Sequence, residues 1–220
     1  MDQVIGDVLP SAVGAALSPV PIIAVILMLA TPRARSNGPA FGLGWITGLV
    51  VVSVIVLVVA DPSSGTDDGV DWINTGLGVL FLVMAAGQWR KRPKKGVEPE
   101  TPQWMSAVDA FNAPKSLGLG LLLSAANPKN LALTLAAVTS IAQAGLDTGQ
   151  SAIAVAVFVG IASITVVGSV VFYLVAPTQA GKPLAAVKDF MGDHNAVIMM
   201  VVLLVLGAKF IGDGIAGAGG

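Results

Sequence analysis

Residues 125–133 read AANPKNLAL. Two asparagines, a proline and a lysine fill positions 127–130, inside one of the most hydrophobic parts of the chain, with 117–123 before them and 131–138 after. If the stretch is a loop, Lys129 is punctuation at the end of a helix. If it lies within a membrane span, the span is broken there and a charge sits in the break. The fold depends on which reading holds.

Composition favours the membrane. Of the 220 residues, 55% are hydrophobic and 11% charged, with a mean hydropathy of +0.82. Soluble domains carry about a quarter charged residues. Net charge is −1, so bulk charge gives no reason to expect nucleic acid as a partner. The 26 glycines suit the close helix approach common in membranes. There is no cysteine, which excludes disulfides and thiolate metal sites, and a single histidine leaves little for a metal centre. No cofactor is expected.

Six apolar segments approach the roughly 20 residues a span needs: 9–30, 39–60, 72–89, 116–143, 151–175 and 195–215. The expected fold is therefore all-α and polytopic. Asp2 and Asp7 stand where a cleaved signal would carry basic residues, so the first segment reads as a retained span. With the N-terminus on one side, the opposite loops collect Arg33, Arg35, Arg90, Lys91, Arg92, Lys94, Lys95, Lys115, Lys182 and Lys188. The N-terminal side holds Asp61, Asp67, Asp68, Asp71 and Asp147. Basic loops stay cytoplasmic, which places both termini outside and the protein in the cytoplasmic, or inner, membrane. Trp72 and Trp89 bracket the third span at interfacial spacing. Trp104, Val108 and Phe111 recur at helical spacing and predict a short interfacial helix before span four. The run 90–103 reads as a solvated linker, although it could also touch anionic lipid.

The chain divides into a first half, 1–89, a linker, 90–115, and a second half, 116–220. LSPVPII (17–23) in the first span and ANPKNLA (126–132) in the fourth match under a shift of 109, which sets Ser18 on Asn127 and Pro19 on Pro128. Three spans per half make the halves inverted, and breaks at matching positions of inverted halves point to a transporter's binding site. Each proline removes a donor and frees carbonyls that must face protein or a polar cavity. Ser18 and Asn127 are good N-caps for the helices that restart there. Those helix starts, with Lys129 beside the second, suit a carboxylate, sulfate or phosphate. The candidate substrate-binding residues are Ser18, Pro19, Pro21, Asn127, Pro128, Lys129 and Asn130. The plainer readings are that Pro19 and Pro21 only kink a helix, and that Lys129 snorkels from a helix end.

Lys209 and Asp213 lie four apart in GAKFIGDGI (207–215) and share a helix face. They form either a gating pair or a local ion pair with a snorkelling lysine. His194 lies in GDHNAV, where Asp193 or Asn195 would cap span six. The glycine spacings near 42–45 and 118–121 precede no βαβ pattern and cradle no nucleotide. No catalytic constellation is visible, so no enzyme is expected. Transport would draw on an ion gradient, on substrate flux or on a partner machine.

LSPVPIIAVILML with TPRARSNGPAFGLGWITGL (17–49), then NPKN and GAKFIGDGI, resembles the actinobacterial sulfolipid- and peptidoglycolipid-addressing protein family, placed in the lysine-exporter superfamily of six-span transporters. In that superfamily a proline motif marks span one and Asn-Pro-Lys marks span four. The counterparts here are Ser18-Pro19-Val20-Pro21 and Asn127-Pro128-Lys129. Ser-Pro-Val-Pro departs from the Pro-Gly-Pro form of the amino-acid exporters. The resemblance implies movement of an anionic cell-envelope glycolipid, or its precursor, to the exterior. Two alternatives stand beside it: an exporter of amino acids or other small organic anions, and an accessory scaffold of a glycolipid synthesis or export machine. A lipid substrate favours a site open sideways between helices, and a solute an enclosed one. Small-residue helix faces also permit a homodimer.

Overall fold

A computed structural model describes residues 1–59, 67–90 and 108–217. Within them lie nine α-helices: α1 (Asp2–Ala16), α2 (Pro19–Leu29), α3 (Ala34–Val59), α4 (Asp67–Arg90), α5 (Ala113–Ala125), α6 (Pro128–Gln143), α7 (Thr148–Val175), α8 (Pro177–Asp193) and α9 (Asn195–Gly217). Three of them, α3, α7 and α9, are singly long and apolar enough to cross a membrane. Two more candidates are bent pairs, α1 with α2 at 50° and α5 with α6 at 60°. That makes three to five candidate spans among the described residues. The expected third span falls on α4, which lies outside that count. The helices on which the expected first and fourth spans fall begin at Asp2 and Ala113.

The two bends share one local design. Leu17 ends α1, Ser18 is extended (φ −82°, ψ 107°), and Pro19 opens α2. Ala126 ends α5, Asn127 is extended (φ −70°, ψ 119°), and Pro128 opens α6. A residue before proline is pushed out of the helical region, while proline itself suits the first helical position. The same three-residue pattern recurs at the shift of 109 read from the sequence.

Glycines set which helices touch. A Cβ at Gly44 of α3 would strike the Leu117 carbonyl of α5, and one at Gly120 of α5 would strike the Phe41 carbonyl of α3. Gly48 faces Ser124 further along both helices, so α3 and α5 run parallel with backbones nearly touching. Their starting ends are tied together: the Phe111 carbonyl accepts from Asn37 Nδ2 at 3.0 Å and from Arg33 Nη1 at 3.4 Å. Helices α4 and α9 run antiparallel, with Gly78 against Ile211 and Gly207 against Leu82. Phe81 and Phe210 pack between them at 5.7 Å.

Three expectations change. The loop between spans five and six contains a 17-residue helix, α8, which buries Ala180 and Leu184 and exposes Val187 and Phe190. The segment before span four is, in its described part, a single 3-10 turn over Val108–Ala110. Neither expected cap of span six forms: the Asn195 side-chain oxygen is buried without a partner, and Asp193 closes α8 instead. Asp61, the basic run 91–95 and Trp104 lie outside the described residues, as do the side chains of Asp67, Asp68, Asp71 and Trp72.

Candidate functional site

The two bends bring their polar residues together. Lys129 is 3% exposed, and its Nζ donates to the Gly14 carbonyl at 2.8 Å and to Ser18 Oγ at 2.9 Å. Ser18 Oγ in turn donates to Asn130 Oδ1 at 2.8 Å. The Asn130 amide donates to the Leu123 carbonyl at 2.9 Å, within the last turn of α5. The chain Gly14–Lys129–Ser18–Asn130–Leu123 thus laces the end of α1 to the end of α5 through the start of α6.

Each link meets a need created by the breaks. A helix end leaves carbonyls without partners, and in an apolar interior such groups cost several kcal/mol. Lys129 serves one of those of α1, and Asn130 one of those of α5. The C-terminal end of α1 also carries the negative pole of its dipole, which favours a cation. Among the described residues the ion pairs are Lys188–Asp189 and Lys209–Asp213, so no described carboxylate pairs with Lys129. Its positive charge is held by dipoles alone.

The expected residues divide by role. Ser18, Lys129 and Asn130 converge. Asn127 caps α6, accepting from the Lys129 backbone N–H at 3.1 Å. Ser18 does not cap α2, contrary to expectation: its hydroxyl turns to α6, accepting from Lys129 and donating to Asn130. Pro19 and Pro21 are buried in the first turn of α2. Proline has no N–H, so Val20 between them is the one amide of that turn able to donate outward. The α2 terminus therefore offers an anion less than a helix start usually does. Gly14, Leu123 and Thr165 were not legible as site residues. Thr165 of α7 donates to the Ala16 carbonyl at 2.7 Å and serves another carbonyl at the end of α1.

The lysine is buried while the second bend reaches the surface: Ala126 and Pro128 are both exposed, and Leu17 at the first bend is 37% exposed. The opposite direction is closed. A polar cavity of about 530 Å³ opens at the other end of α1, lined by Gln3, Asp7, Ser140, Gln143, Lys209 and Asp213 among others. Asp7 and Gly14 are separated along α1 by about 10 Å. Leu133 and Leu206, at most 2% exposed, stand in that interval within contact range of Gly14, and Val8 is fully buried one turn below the cavity residue Val4. Lys209 and Asp213 make their expected ion pair on the cavity wall, at 2.5 Å.

The chain matches the family described as Sap, sulfolipid-1-addressing protein (SfLAP), over residues 8–216, and it belongs to that family. No curated protein and no solved structure matches it.

Proposed function

With that membership as premise, we propose that the protein is an inner-membrane transporter. It exports or flips an anionic cell-envelope glycolipid, or its precursor, past the paired helix breaks. The architecture proposed is six spans in two inverted three-helix halves, α4 being the third span, with both termini outside, as in the lysine-exporter superfamily. The recurrence of one bend at a shift of 109, the parallel α3–α5 pair and the antiparallel α4–α9 pair all support that symmetry. The reading assigns no catalytic step.

One observation carries the functional reading. A buried ammonium lies across two helix breaks, paired only with dipoles, and one of those breaks reaches the surface of the molecule. A buried cation without a counter-ion is a candidate binding group for an anion. A break that reaches the surface suits a lipid that keeps its tails in the bilayer, whereas a soluble amino acid needs no such access. On this account a sulfate or phosphate oxygen replaces Ser18 or Gly14 on Lys129, and the apolar layer of Val8, Leu133 and Leu206 keeps the polar cavity shut until the exchange is made.

The test is selectivity in proteoliposomes. Two glycolipids matched in tails and sugar, one sulfated and one not, are followed to the far leaflet. The sulfated lipid should move faster in the presence of the protein, and the neutral one should move at the rate of empty liposomes. Equal rates for both would remove the anion from the account. No movement of either, alongside co-purification with a glycolipid synthesis machine, would favour the scaffold.

A further inference from the structure

A second cavity, apolar and about 440 Å³, lies between α3 and α7. Ile46 of α3 lines it, together with Val159, Gly160, Ser163, Val167 and Gly168 of α7. Those α7 positions recur at intervals of four and form one face along the helix. From Val159 to Val171, the last lining residue, the face is about 18 Å long.

The glycines of this face are not used as those of α3 and α5 are. A Cβ at Gly160 or Gly168 would meet nothing within 4 Å, whereas one at Gly44 would strike backbone. The space is left open by the chain. Ser163 stands in it, 4% exposed, and its hydroxyl has no hydrogen-bond partner. An unpaired buried hydroxyl costs about 1–3 kcal/mol, so a partner from outside the chain is expected.

We infer that this groove is a slot for one acyl chain of a lipid, whose ester or amide carbonyl accepts the Ser163 hydroxyl. The inference rests on the transport reading for the lipid's identity. Three observations favour an acyl chain. The rim residues Ile164 and Val171 are 61% and 51% exposed on a helix apolar enough to span, so the medium facing them is hydrocarbon. The lining is apolar apart from Ser163, which suits a hydrocarbon tail with one polar linkage. The slot also lies level with the break: Thr165, on the opposite face of α7 from Ser163, donates to the Ala16 carbonyl. A lipid whose head group lies at Lys129 would have its tail at the same level of α7.

The probe is an anionic phospholipid carrying a diazirine in one acyl chain, reconstituted with the full protein in phosphatidylcholine liposomes. Adduct positions are read by mass spectrometry after illumination. Adducts are expected on Val159 and Ser163, which bulk lipid cannot reach at 7% and 4% exposure, as well as on the exposed Val58 and Val205. The double variant Gly160→Leu, Gly168→Leu should lose the Val159 and Ser163 adducts and keep the other two. If that variant does not fold, Ile46→Trp closes the groove from α3 with the same expected loss. Adducts confined to exposed residues, or unchanged by filling the groove, would overturn the slot. So would disulfide-linked dimers formed through Ile164→Cys, which would give the groove to a second copy. Transport is scored separately: labelling without glycolipid movement refutes the transport reading and keeps the slot, and movement without labelling does the reverse.

Discussion

The ammonium of Lys129 lies 2.8 Å from the Gly14 carbonyl, at the broken end of a helix 115 residues earlier in the chain. Ser18 Oγ, at 2.9 Å, is its other partner. One cation thus serves a carbonyl stranded by the break in α1 and also stands where an anion would be received, and the two duties can be separated by substitution.

Lys129→Met removes a desolvated charge but leaves Gly14 and Ser18 each short of a partner. Hydrogen bonds to charged groups contribute about 1.5–3 kcal/mol, while loss of an unpaired buried charge offsets much of this. The net shift in stability should be about 1–2 kcal/mol, or roughly 2–8 °C in thermal midpoint. Transport should fall about 10- to 100-fold, the equivalent of one charge-assisted bond to substrate. Thermal melting in detergent beside a leaflet assay checks both.

Ser18→Ala cuts the chain at its middle. Asn130 Oδ1 loses its donor and Lys129 loses an acceptor, at a cost of about 1–3 kcal/mol. Ser18 and Asn130 are in contact, so Ser18→Ala with Asn130→Ala should be less destabilising than the sum of the singles, by about 0.5–3 kcal/mol. Additivity in a double-mutant cycle would show that the bond contributes nothing.

Gly44→Ala should be poorly tolerated, since the added carbon meets the Leu117 carbonyl on a neighbouring backbone. Separating α3 from α5 costs about 1–3 kcal/mol. Gly160→Ala should be neutral or stabilising by up to about 1 kcal/mol, because the site is open and alanine favours helix. Melting temperatures of the pair, measured side by side, test the close approach.

Lys209 and Asp213 are partly exposed, at 25% and 43% of their side chains. An i,i+4 pair of this kind contributes about 0.3–0.5 kcal/mol. Lys209→Gln should leave the thermal midpoint nearly unchanged and slow transport far less than Lys129→Met does. A loss equal to that of Lys129→Met would move the anion site into the polar cavity.

The chain contains no cysteine, so single-cysteine reporters need no background removal. In intact cells a membrane-impermeant maleimide should label Gln143→Cys in the polar cavity and not Val8→Cys beneath it. Labelling of Gln143→Cys only from the cytoplasmic side would reverse the proposed orientation.

Much of the frame was legible because breaks are written in local chemistry. Pro19 and Pro128 each force the residue before them out of the helix, and the shift of 109 is visible in seven residues. What the hydroxyl of Ser18 does was not legible. A serine before a helix is an N-cap by local rules, and only the approach of Asn130 from α6 diverts it. The Gly14 carbonyl carries no side-chain signal at all. Helix α8 was within reach: Pro177 marks its start, and Ala180, Leu184 and Met191 recur at helical spacing after it. Lys182 and Lys188 place it among the basic loops instead.

Lys129 is proposed to receive the anionic group of a lipid crossing the bilayer. The most direct measurement is the rate at which a labelled sulfated glycolipid reaches the far leaflet of liposomes carrying wild type, Lys129→Arg or Lys129→Met, each confirmed folded by its melting curve. Transport is expected with wild type, partial transport with the arginine variant and a rate about 10- to 100-fold lower with methionine. Wild-type rates from a folded Lys129→Met protein would contradict it and leave the lysine as a pin between two broken helices.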